Sequence, residues 1–175
     1  MQRPALHAAA ALLLACALPA HAAGEIAVTV TPDQPALGKG DDVNVTVTLT
    51  NTGNTPQHLL KWRTPFVPAE HALFQITRDG LPVRYLGRHV KRAAPTEADY
   101  LVLAPGESRS ARVELSKLYE MQVTGAYSVR YYTSNPSNAA PGAKAGADIV
   151  VGDLASSPAA IWIEGRLPRG VVTPA

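Results

Sequence analysis

Cysteine is nearly missing from this sequence. Its 175 residues hold one, Cys16, close to the N-terminus. If that segment is removed on export, no disulfide remains, even in a compartment that permits one, and stability must come from a packed core. Charge of one sign is also missing. Sixteen Lys and Arg against fourteen Asp and Glu leave a formal charge of +2, too little to argue for nucleic acid or an acidic membrane surface. No apolar run approaches the roughly 18 residues that a membrane span needs. The catalytic signatures are absent too: no HExxH, no Gly-x-Ser-x-Gly elbow, no Gly-rich phosphate loop leading into a helix. His58, His71 and His89 include no pair at helical ligand spacing, and Glu70-His71 beside a proline loop is the nearest approach to one. The carboxylates are scattered, and Asp41-Asp42 opens a strand as an ordinary solvated turn. No enzyme, metal or cofactor is expected.

The N-terminus carries a positive Arg3, an apolar stretch over residues 8–18 and Ala20-His21-Ala22, the pattern of a secretory signal with cleavage after Ala22. Export to the periplasm or the medium is the expectation. Leu13-Leu14-Ala15-Cys16 also reads as a lipobox, so lipidation through Cys16 stays open as an alternative. Residues 24–165 then form the domain, and residues 166–175 a tail.

That domain reads as strands. Residues 42–50 alternate strictly, with Val43, Val45, Val47 and Leu49 on one face and Asn44, Thr46, Thr48 and Thr50 on the other. Ile26, Val28 and Val30 repeat the pattern. Asp79-Gly80 between two apolar runs is a hairpin signal. Residues 100–103 are expected to pair with residues 109–115 across Ala104-Pro105-Gly106-Glu107, whose Pro and Gly mark a type II turn. Tyr127, Val129 and Tyr131 share a face, as do Ile161 and Ile163, and residues 148–151 supply a further short strand. Seven to nine short strands with frequent turns predict an all-β, immunoglobulin-like antiparallel sandwich. Gly125-Ala126-Tyr127 resembles the tyrosine corner of such domains. Trp62, expected on the third strand, would pack on Val129 where an antibody domain has its disulfide; two unrelated core aromatics are the plainer account. A closed barrel or jelly roll remains open.

One stretch does not fit a sheet. Residues 84–92 crowd Arg84, Arg88, His89, Lys91 and Arg92 together, and Ala94-Pro95-Thr96-Glu97 then breaks the backbone. A basic, proline-stopped excursion of this kind is an exposed arm. The plain alternative is a solvated basic face with Asp99 paired to one of its cations.

Asn51-Thr52-Gly53 leading into Leu59-Leu60-Lys61-Trp62 with Thr64-Pro65, then Asp79-Gly80, resembles the N-terminal prodomain of the deuterolysin-like (aspzincin) zinc metallopeptidases. So does Tyr85-x-Gly87-Arg88-x-Val90-Lys91-Arg92-x-x-Pro95-Thr96 with Asp99-Tyr100 and residues 103–108. The likeness continues through Gly125-x-Tyr127-x-Val129-Arg130-Tyr131 and ends at Ile163-Glu164-Gly165-Arg166, nearly the whole chain after the signal. In that family the prodomain assists folding of the enzyme and keeps it latent, and a peptidase domain with HExxH and Gly-Thr-x-Asp follows. Neither motif occurs in these residues, so the resemblance implies a free-standing inhibitor or intermolecular chaperone of an aspzincin-type metallopeptidase. It also implies an inhibitory loop over residues 87–99. There Lys91 would act as a pseudo-substrate for an acidic pocket, or Glu97 or Asp99 would instead approach the partner's zinc, with Arg88, His89 and Arg92 as further partner-binding candidates. Two other classes stay open: a protein- or glycan-binding module of the cell envelope, and a remnant prodomain without a partner.

Overall fold

The computed structural model describes residues 26–134 and 153–165. The expected signal with Cys16, the strand expected over residues 148–151 and the tail over residues 166–175 lie outside the described residues, as do Glu25 and Arg166. The described chain is all-β. Its strands are β1 (Ile26–Pro32), β2 (Ala36–Leu37), β3 (Asn44–Asn51), β4 (Gln57–Leu60), β5 (Phe74–Arg78), β6 (Leu81–Pro82), β7 (Tyr100–Leu103), β8 (Ser108–Glu114), β9 (Gly125–Thr133), β10 (Leu154–Ala155) and β11 (Ala159–Ile163). Short 3₁₀ turns at Lys61–Arg63, Glu97–Asp99 and Leu115–Lys117 are its only helical pieces.

Three sheets result. One has the order β1-β3-β8, a second runs β2-β11-β9-β5-β6 with β10 also on β9, and the third is the pair β4-β7. Every pairing between these strands is antiparallel except β2 with β11. The alternation of β3 dictates its place. Val45, Val47 and Leu49 are fully buried, as is Val43 just ahead of the strand. The opposite face meets β8 through hydroxyl pairs, Thr48 with Ser110 at 2.7 Å and Thr50 with Ser108 at 2.8 Å. One buried cluster draws on all three sheets, from Val28 and Val47 to Leu59 and Leu103 to Phe74, Val129 and Ile161. Burying such a face is the main favourable term in folding.

Asp79-Gly80 closes the hairpin as expected. Both residues have positive φ (47° and 82°), the condition of a type I′ turn, which glycine and aspartate tolerate. The turn at residues 104–107 also forms, with Glu107 N–H donating to Ala104 O at 2.9 Å and Gly106 at φ 74°. It does not join a hairpin, however. β7 pairs with β4 and β8 pairs with β3, so this turn carries the chain from one sheet to another. Asn51 explains the switch. Its backbone N–H donates to Glu107 O, its carbonyl accepts from Gly106 N–H, and its fully buried Nδ2 donates to Leu103 O (3.0 Å) and Thr55 O (2.7 Å). The turn is tied to the end of β3, and β8 leaves it along that strand.

Tyr127 sits near the start of β9, where the corner was expected. It is 2% exposed, and its hydroxyl donates to Val123 O, four residues upstream, at 2.6 Å. Trp62 corrects the other expectation. It lies in the 3₁₀ turn Lys61–Arg63, half-buried, and outside the cluster that contains Val129. β4 ends at Leu60 because Thr64 turns the backbone back, its N–H and hydroxyl both donating to Lys61 O (3.0 and 2.6 Å).

Candidate functional site

The basic excursion is exposed and pinned. It leaves β6 through Val83 N–H to Ile76 O, and then lies against the segment after β8, with Leu86 N–H donating to Leu118 O (2.7 Å) and Glu120 N–H to Arg84 O (2.9 Å). Tyr85 packs edge-on against Tyr119 and His89, at 5.1 and 5.3 Å between ring centroids. Its ring closes over Gly87, where any side chain would collide with it. Farther on, Val90 N–H donates to Glu70 O at 3.0 Å. Arg92 holds both oxygens of Glu70 in a two-pronged pair at 2.5 Å, and its guanidinium stacks 4.5 Å over the Trp62 ring. Pro95 is buried. Thr96 then starts the 3₁₀ turn as a capping box, its N–H and hydroxyl both donating to Asp99 Oδ2 at 2.8 Å. Lys61 Nζ donates to Ala98 O at 2.6 Å and closes the far end.

Between the arm and the sheet lies a cleft of about 510 Å³. Trp62, Arg63 and His71, from the segment between β4 and β5, line it together with His89, Lys91 and Arg92 of the arm. Leu60, Val90 and Pro95 give it apolar patches. Arg63 Nε and His71 Nε2 are shielded from solvent and have no hydrogen-bond partner. Burial pulls the Arg63 guanidinium below its ordinary pKa. It does the same to His71, helped by the Arg63, His89 and Arg92 charges and opposed by Glu70. The Arg92 bond holds the Glu70 carboxyl below the usual range. Positive charge therefore outweighs negative on these walls.

Of the residues singled out from sequence, His89, Lys91 and Arg92 meet at this cleft. Arg88 is exposed on the same arm and acts on Glu70 only at long range. Glu97 and Asp99 lie in the 3₁₀ turn beyond it. Asp99 accepts from Thr96, whose bonds, with smaller help from the Arg92 and Lys61 charges, hold its carboxyl below the usual range. Trp62 moves from the core list to the site. Arg63 and His71 escaped sequence reasoning as site residues; Glu70-His71 beside a proline loop was the one local sign, and it pointed to His71 alone. Among the described residues no group of three or more His, Cys, Asp or Glu gathers as a metal site.

No family model matches the chain. Over 109 residues, 62% of its length, it is 48% identical to a protein of Aeromonas hydrophila named "Extracellular protease". The chain spans only 31% of that relative.

Proposed function

We propose that this domain is a non-catalytic, immunoglobulin-like sandwich that binds an aspzincin-type metallopeptidase outside the cytoplasm and acts as its inhibitor or folding chaperone. The strand orders β1-β3-β8 and β11-β9-β5 parallel the A-B-E and G-F-C halves of immunoglobulin domains, and the Tyr127 corner falls where the F strand begins. The partial likeness to an extracellular protease, over less than a third of that protein, supports descent from a non-catalytic segment of a secreted enzyme.

The observation that carries the reading is the arm. Residues 87–99 stand exposed, stiffened by a buried Pro95, and are fastened near Val90, Arg92 and Ala98 to the segment between β4 and β5. A loop mounted in that way enters a substrate cleft with little ordering cost, the advantage of preorganisation. Lys91, exposed and without the carboxylate clamp that fixes Arg92, is the side chain free to reach a partner's specificity pocket. The test is an inhibition titration of purified protein against an aspzincin-type peptidase, repeated with Lys91→Ala combined with Arg92→Ala. Stoichiometric inhibition that the double variant loses is the expected result. Inhibition unchanged in the variant removes the arm as the contact.

A further inference from the structure

We infer that the cleft beneath the arm is a receptor for a carboxylate on an acidic segment of a protein partner, gripped by Arg63 and His71 and entered past Lys91. Arg63 and His71 both line the cleft, and one buried polar atom of each, Arg63 Nε and His71 Nε2, has no partner. Native structures rarely leave such groups unpaired unless something outside the chain completes them. Glu70, the acid next to His71 in sequence, already engages Arg92 with both oxygens. Arginine favours two-point contact with a carboxylate, and His71 with its proton on Nε2 brings a further donor to the same cleft. The remaining surface argues for polypeptide over a bare ion. About 510 Å³ is far more than an inorganic anion fills, and Trp62, Val90 and Pro95 offer apolar contact to residues flanking the acid.

This site names what the cleft beneath the arm recognises under the peptidase reading, but it is tested without any peptidase, so either idea can fail alone. The experiment is NMR of the purified full chain, following the arginine Nε–H and histidine ring signals. Three probes are titrated: the blocked peptide acetyl-Ala-Leu-Glu-Leu-amide, its Gln counterpart, and inorganic phosphate. The Glu peptide is expected to shift the Arg63 and His71 signals and to bind roughly tenfold tighter than the Gln peptide. Arg63→Gln should abolish that preference. Lys91→Ala, an exposed change that leaves the fold intact, should weaken binding about threefold by the loss of one surface charge. Affinity for the Glu peptide should also rise as pH falls and His71 gains its proton against the Arg63, His89 and Arg92 charges, with only Glu70 favouring it. Equal affinity for the two peptides, no shift at either residue, or full binding by both variants overturns the site. Phosphate binding tighter than the Glu peptide overturns the polypeptide occupant.

Discussion

Strand β3 and the arm over residues 87–99 are held in place by opposite means. β3 is paired along its length with β1 on one side and β8 on the other, and every second side chain disappears into the core. The arm has almost no buried side chain and no strand partner; a few polar contacts at Val90, Arg92, Thr96 and Ala98 position it. Apolar burial is distributed and cooperative, whereas surface ion pairs contribute little each and serve mainly to choose a conformation. Stability and recognition are thereby separated, and a change in one should leave the other nearly untouched.

The sharpest way to break that separation is in the core. Leu49→Ala, at a fully buried position, should cost about 2–5 kcal/mol in urea unfolding, with ligand contacts on the arm unaltered in the fraction still folded. Next comes the buried knot between sheets. Asn51→Ala strands the Leu103 and Thr55 carbonyls, and a loss of about 1–3 kcal/mol is expected by the same measurement. Tyr127→Phe keeps the ring and deletes the bond to Val123 O, so about 0.5–1.5 kcal/mol should be lost.

A smaller effect belongs to pH. The lowered His71 pKa means that the native state binds fewer protons than the unfolded chain. Stability should therefore fall as pH drops through the ordinary histidine value of 6.5, and thermal unfolding from pH 7.5 to 5.5 should show it. His71→Gln should flatten that part of the curve. Least of all should the global midpoint respond to Arg92→Ala. In that variant the arm alone loosens, read as faster amide exchange at Val90 and faster proteolytic nicking of residues 88–95. A midpoint that moves as far as in Leu49→Ala would show the arm to be part of the cooperative core.

How much of this was legible in the sequence depends on range. The period-two pattern of residues 42–50, the Asp79-Gly80 hairpin and the bond from Tyr127 back to Val123 O are local, and each forms as its residues dictate. The arm was legible for the same reason: cations and prolines without alternation have no face to bury. Pairing was not. The Ala104–Glu107 turn has the residues of its type, yet the type of a turn says nothing about which strand lies beyond it, and buried Asn51 decided that from more than fifty positions away. Trp62 misled because tryptophan usually marks core, while here it is a platform for the Arg92 guanidinium. Arg63 and His71 come together with His89 and Lys91 only through folding, and no local spacing connects them.

The fastening of the arm at its roots has a consequence for how such domains diversify. β6 and β7, which flank it, belong to different sheets, and each is registered by its own partner, β5 and β4. Residues inserted between Arg92 and Thr96 would therefore enlarge a closed loop without shifting any register. Loop-closure entropy grows only logarithmically, by about 0.6 kcal/mol for each doubling of length. Reach is thus the least constrained property of the molecule: a longer or shorter finger can be fitted to a differently shaped target while the scaffold behind it stays the same.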